Sequence, residues 1–337
     1  QAVEKNSTTI AISGGTGITY LSSGNVTYAA NTAGAVVLKV CVAGTSTCTN
    51  KSSVTLVWNE ANQDYEYTYS WSPSGAGSWD LFAIFTPADA GAWSTPSESA
   101  ASTTVSVAKS AQTVTTDISS ATITHTVTGA YYDMDVYVTT TAHQGNVSYQ
   151  IVSGPCTFSN STNIKSTGAG DCSIKVIGAA TANYLEGYVL FTLHVLQGVQ
   201  TVAVTSPTGT QKLSATSASN VFDLAGIGST NGNGDISYSV TGTGCSIDAD
   251  GHTLKFTQVG TCSVTVTAAE TTDFASDTET YTFSVTIGDG TVSITRTTAN
   301  QTYSTTLSSN KYALSNLGAT KTGDGTIEYS ISNAGTT

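Results

Sequence analysis

Positive charge is what this sequence has least of. Its 337 residues include 11 Lys and Arg against 23 Asp and Glu, a formal net charge of -12, and Arg296 is the single arginine. Nucleic-acid binding through phosphates needs clustered Lys and Arg. Docking to an anionic membrane needs a polybasic patch. Neither nucleic acid nor a lipid surface is therefore expected as a partner. Charge of either sign is scarce, at 10% of residues, against ~25% in an ordinary soluble domain. Long apolar runs are missing as well. No stretch approaches the ~18 consecutive apolar residues of a membrane-spanning helix, so no membrane insertion is expected in this segment. The opening residues, Gln1-Ala2-Val3-Glu4-Lys5, show no basic region followed by an apolar one, so any signal peptide is expected to be already removed.

Ser and Thr are abundant instead, at roughly 30% of the chain, and 39% of residues are hydrophobic. Ser, Thr and Gly with little charge also describe a disordered linker, but here the apolar residues alternate with polar ones. Cys172-Ser173-Ile174-Lys175-Val176, Cys262-Ser263-Val264-Thr265-Val266-Thr267, Tyr65-Glu66-Tyr67-Thr68-Tyr69 and Thr103-Thr104-Val105-Ser106-Val107 all do so. A period of two marks strands with one face in a core and one in water. Val inward and Thr outward suits strand propensity. No helical period longer than one turn stands out, so the chain is expected to be all-β.

The chain also repeats. Gly145-Asn146-Val147-Ser148-Tyr149-Gln150-Ile151 recurs as Gly234-Asp235-Ile236-Ser237-Tyr238-Ser239-Val240 and again as Gly325-Thr326-Ile327-Glu328-Tyr329-Ser330-Ile331. The three tyrosines lie 89 and 91 residues apart, a sandwich-sized period. A second block, Ala169-Gly170-Asp171-Cys172, matches Val259-Gly260-Thr261-Cys262. A third, Ala179 to Tyr184, matches Ala269 to Phe274. A diverged copy precedes them: Ala76-Gly77-Ser78-Trp79 aligns with the Cys172 block, and Ala88 to Trp93 aligns with the segment ending at Tyr184. Trp79 thus stands where the later repeats carry cysteine, and an aromatic plug is expected there in place of a cross-link. All four tryptophans, Trp58, Trp71, Trp79 and Trp93, belong to this first repeat. Gln112-Thr113-Val114, Gln200-Thr201-Val202 and Gly290-Thr291-Val292 each open a unit. The expected modules are 1–109, 110–198, 199–288 and a partial one, 289–337. The last is expected to find its missing strands in a covalent continuation of the array or in a strand donated by a neighbour.

These blocks resemble the immunoglobulin-like repeats of large secreted and cell-surface proteins, especially bacterial Ig-like repeats. The resemblance implies tandem Ig-like β-sandwich domains in series, the last one incomplete, used as a spacer, stalk, adhesin or fibre. The sandwich itself hosts many roles.

The six cysteines fall in pairs inside repeats: Cys41 with Cys48, Cys156 with Cys172, Cys245 with Cys262. Their spacings do not suit zinc, and no C-x-x-C occurs. Intramodular disulfides are expected, with redox pairs or buried reduced thiols as the alternatives. The histidines His125, His143, His194 and His252 have no triad context. Asp133-Met134-Asp135 and Asp248-Ala249-Asp250-Gly251 offer clustered carboxylates of the kind that bind calcium, but the second also reads as a hairpin turn. No metal, no cofactor and no catalytic residues are expected. Six sequons, at Asn6, Asn25, Asn50, Asn146, Asn160 and Asn300, are candidate N-glycosylation acceptors. Tyr65, Tyr67, Tyr69 and Trp71 share one face of a predicted strand, either as core or as a platform for sugar rings.

The expectation is a non-catalytic extracellular or cell-surface structural protein, a repeat segment of a stalk, fibre or filament with adhesin-like and glycoprotein character. Its partners would be copies of itself or adjacent repeats in a linear assembly, and glycans. The alternative is a carbohydrate-binding module array of a secreted or cell-surface protein. A secreted enzyme working through paired carboxylates ranks behind both, because nothing singles out one pair among 23 acidic residues.

Overall fold

A computed structural model describes residues 4–96, 102–138, 140–142, 145–205, 210–214, 216–323 and 325–330. The architecture is all-β, a tandem of β-sandwiches. By packing, the chain divides into two compact units. One is Gln1–Ala121, Tyr131–Lys165 and Asp171–Leu193; the other is Thr122–Ala130, Ser166–Gly170 and His194–Thr337.

The first sandwich contains β1 (Ile10–Gly14), β2 (Gly24–Ala30), β3 (Gly34–Val42), β4 (Cys48–Asn50), β5 (Val54–Thr55), β6 (Val57–Asn59), β7 (Asp64–Trp71), β8 (Gly77–Pro87) and β9 (Ser102–Val107). One sheet runs β1-β2-β7-β6. The other runs β4-β3-β8-β9, with β5 also on β3. Alternation decides which side chains meet between them. In β3, Val36, Leu38 and Val40 point inward and are buried, with Lys39 between them on the other face. Leu81, Ala83 and Phe85 of β8 do the same, and with Tyr28 and Trp71 they form the core.

The second sandwich contains β10 (Thr115–Thr116), β11 (Ser120–Thr124), β12 (Tyr131–Asp133), the one-turn helix α1 (Met134–Tyr137), β13 (Thr140–Thr141), β14 (Val147–Ser153), β15 (Cys156–Phe158), β16 (Asn163–Ser166), β17 (Gly170–Gly178) and β18 (Gly187–Leu196). Its sheets run β11-β18-β17-β14 and β12-β16-β15. Ile164, Cys172, Ile174, Val176 and Phe191 are fully buried.

The third sandwich repeats that plan. It contains β19 (Gly198–Val199), β20 (Val202–Val204), β21 (Gln211–Lys212), β22 (Val221–Asp223), β23 (Gly228–Thr230), β24 (Ile236–Thr241), β25 (Cys245–Ile247), β26 (Thr253–Phe256), β27 (Gly260–Ala268), β28 (Phe274–Ala275) and β29 (Asp277–Thr286). Its main sheets run β21-β29-β27-β24 and β22-β26-β25. The core gathers Leu224, Leu254, Phe256, Val264 and Phe283. Beyond it, β30 (Val292–Ile294) pairs with β31 (Ala319–Lys321). No described residue from 286 to 330 is buried.

The recurring glycine of the second block has a backbone reason. Gly77, Gly170 and Gly260 begin β8, β17 and β27 with φ of +123°, +133° and +150°, a region that L side chains avoid. The strands then run in matched register: Gly77 opposite Val107 and Trp79 opposite Val105, Gly260 opposite Val285 and Cys262 opposite Phe283.

This register places the cross-links. Cys156 is bonded to Cys172 and Cys245 to Cys262. Each pair joins the edge strand of the smaller sheet (β15, β25) to the middle of the larger one (β17, β27), so each disulfide ties the two sheets together. In the first sandwich, Trp79 of β8 meets the buried Trp71 of β7 edge to face at 5.9 Å. An aromatic contact there spans the same two layers. Cys41 and Cys48 are bonded across the β3–β4 hairpin, where they are direct register partners.

Candidate functional site at the repeat junctions

Side chains that sequence inspection treats as chemical candidates are absorbed by structure. Asp133 Oδ1 accepts the Asp135 N–H that opens α1, and its Oδ2 accepts from Asn163 Nδ2 at 3.1 Å. Asp135 accepts the Tyr149 hydroxyl at 2.6 Å. Asp248 to Gly251 forms the β25–β26 turn, with Gly251 N–H donating to Asp248 O and Gly251 at φ +80°. Asp250 accepts from Thr253 Oγ1 and from the backbone N–H groups of Thr253 and His252. Those donors, the Thr253 hydroxyl foremost, hold its carboxyl down at about 2. Asp223 is also lowered, first by the Ala225 N–H and then by the His252 ring 3.0 Å away. Among the described residues no cluster of His, Cys, Asp and Glu is arranged to hold a metal. His143 lies outside the described residues. All six sequon asparagines are exposed. Trp71 is 2% exposed, so it belongs to the core and offers no face to a sugar.

What the sequence does build, twice, is a junction. In the first unit, Tyr20 N–H donates to Ala108 O at 2.9 Å, and Ser110 Oγ donates to Tyr20 O. Ser110 bridges Tyr184 in parallel, its N–H donating to Asn183 O. Asn183 Oδ1 accepts the Ala76 N–H at 2.9 Å. The Tyr184 ring stands edge-on to Tyr20, 5.5 Å between centroids. In the second unit, His125 N–H donates to Leu196 O at 2.9 Å. Gly198 pairs in parallel with Phe274, its N–H donating to Asp273 O. Asp273 Oδ1 accepts the Ala169 N–H at 2.9 Å. The Phe274 ring lies 5.2 Å from His125. Lys109 Nζ reaches Thr181 O in one junction, and Gln197 Nε2 reaches Thr271 O in the other.

Each corner is preformed by its threonine. Thr181 Oγ1 accepts from the N–H groups of Asn183 and Tyr184, and Thr271 Oγ1 from those of Asp273 and Phe274. Such a side-chain turn projects the Asx residue and the aromatic ring together. His125 is 7% exposed, with Nδ1 2.9 Å from the buried Ser166 Oγ, which also accepts the Ala130 N–H. It is a packed residue of the second junction.

A buried glutamine anchors the start of the second and of the third sandwich. Gln200, 3% exposed, donates from Nε2 to Ala269 O (2.8 Å) and Ala275 O (3.0 Å), and accepts at Oε1 from Gly234 N–H and Thr230 Oγ1. Gln112 donates to Gly178 O, Ala179 O and Leu185 O. Thr8 holds the corresponding place in the first sandwich, two residues after the Asn6–Trp93 bridge, and bonds Ser94. The recurrence of Gln at 112 and 200 marked where units open, while the carbonyls that their amides hold were not legible in the sequence. The pairing of Tyr20 with Tyr184 and of His125 with Phe274 had no sequence signal, because Tyr20 and His125 differ in type and sit at unequal spacing.

No family model matches the chain, and no curated protein does. Among solved structures it is similar to the S-layer protein rSbsC (13% identity, TM-score 0.23), over 85% of this chain and 42% of that one. It is also similar to Drosophila N-cadherin EC1-4 (13% identity, TM-score 0.22), over 74% of this chain and 67% of that one. The chain thus spans about two fifths of the S-layer chain it matches. At those scores neither protein's role passes to this one.

Proposed function

We propose that the chain is a non-catalytic extracellular or surface protein, a repeat segment of a stalk, fibre or filament. The observation that carries this reading is the junction built twice from the same parts: an Asx-aromatic corner, a facing ring or imidazole, and a backbone N–H aimed at the Asx side chain. A linker that merely connected two domains would have no need of matched contacts; an array in which each repeat packs on the next does. Three bonded cysteine pairs support an oxidising, extracytoplasmic setting. The exposed sequons fit glycan attachment on such a surface, and intact-mass analysis before and after glycosidase treatment tests it. Among the described residues no helix is long and apolar enough to cross a membrane. Electron micrographs of the purified chain test the main reading. Elongated particles of constant width are expected, and compact ones would overturn it.

A carbohydrate-binding array is the second reading. The observation favouring it is the pair Trp58 and Tyr67, 43% and 36% exposed on the sheet that carries β7. A glycan-array signal lost on Trp58→Ala would select it over the stalk.

A further inference from the structure

The end of the third sandwich that holds Leu213 and Gly288 carries a cleft with the parts that receive the aromatic corner in the two junctions. Leu213 stands where Tyr20 and His125 stand, its N–H donating to Thr286 O at 2.9 Å. Gly288 crowds the Leu213 carbonyl as Gly198 crowds that of His125: a Cβ on either would lie 1.6 Å or 2.2 Å from the oxygen. Val259 precedes Gly260 as Ala76 precedes Gly77 and Ala169 precedes Gly170, and those two alanines are the residues that donate to Asn183 and Asp273. On the opposite wall, Gly323 and Gly325 follow Gly232 and Gly234 by 91 residues. Gly232 and Gly234 pack on Gln200 beside the Asp273 corner. Gly290 takes the position of Gln200. The cleft between these walls measures about 820 Å³. Among the described residues no aromatic side chain lines it. Val259, Ile287 and Val292, which do, are 46%, 80% and 69% exposed, a run of apolar surface that a soluble protein normally covers.

We propose that this cleft receives the corner of a further sandwich of the same repeat type, an Asn or Asp followed directly by Tyr or Phe. The ring packs on Leu213 and Val259, and the Asx oxygen accepts the Val259 N–H. This inference rests on the tandem-repeat reading above and names its contact. With glycine at 290 the amide clamp is missing, so the corner is held chiefly by the Leu213 wall.

The test uses the full 337-residue chain, isotopically labelled, titrated with a cyclised peptide of residues 269–278. Saturable NMR shifts are expected at the amides of Leu213, Val259 and Gly288. A peptide carrying Phe274→Ala should bind about tenfold more weakly or worse, and one carrying Asp273→Ala should lose the Val259 shift. Leu213→Asp in the chain should abolish the response while shifts elsewhere stay native. No saturable shift at millimolar peptide, or equal shifts with the Phe274→Ala peptide, overturns the proposal. Shifts of the same amides that grow with the concentration of the chain alone would assign the cleft to a second copy and overturn it too. Elongated particles in micrographs together with a silent titration would refute the cleft and leave the stalk standing.

Discussion

Replacing Gln200 with methionine keeps the length and most of the volume of the side chain while deleting its four hydrogen bonds. Two carbonyls, Ala269 O and Ala275 O, and two donors, Gly234 N–H and Thr230 Oγ1, lose their partner at a site 3% exposed. At about 1 kcal/mol net per bond, and more where the partner stays buried and unpaired, the loss comes to about 3–5 kcal/mol. A sandwich of ~90 residues has roughly 5–13 kcal/mol in all, so the third sandwich should unfold well before the first. The assay is native-state hydrogen exchange at Val264 and Val266, with Val36 and Leu38 of the first sandwich as the internal reference. The expected result is faster exchange confined to the third sandwich. Gln112→Met should cost less, because among the described residues Gln112 Oε1 accepts nothing. A change below about 0.5 kcal/mol at Val264 in Gln200→Met would refute the clamp.

Further outcomes follow from the same structure. Cys245→Ala with Cys262→Ala opens a loop of 17 residues and should cost about 3 kcal/mol, against slightly less for the 7-residue separation of Cys41 and Cys48. Denaturant melts of the two double variants compare them, and labelling of Cys156 or Cys245 by a thiol reagent without reduction would contradict the pairing. Tyr28→Phe should raise the melting temperature of the first sandwich, since the Tyr28 hydroxyl is buried with no protein partner among the described residues and burial pushes its pKa up. A lower melting temperature would mean that the hydroxyl is satisfied. Asp250 is depressed to about 2 from an ordinary value of 3.8, so its contribution to the β25–β26 turn is present above pH ~4 and fades as pH falls towards 2. Asp250→Asn should flatten that acid limb in a pH series of melting curves, and an unchanged limb would refute the assignment.

The alternation of Val, Ile and Cys with Ser and Thr was enough to determine strands, because a period of two maps directly onto the two faces of a sheet. The 89- and 91-residue spacing of Tyr149, Tyr238 and Tyr329 determined the repeat. Trp79 in the place of Cys172 was legible as an aromatic substitute, since register carries a residue to the same layer whatever its type. Three things waited for the tertiary structure. Tyr65 to Trp71 alternate as one face, yet whether that face meets a core or a sugar depends on the other sheet, and β3 and β8 close over Trp71. Gln112 and Gln200 look like polar loop residues until folding brings carbonyls some 70 residues away around their amides. The junctions pair Tyr20 with Tyr184 and His125 with Phe274 through contacts between segments more than 140 residues apart, and short-range pattern carries no information about such partners because they are chosen by how whole sandwiches pack.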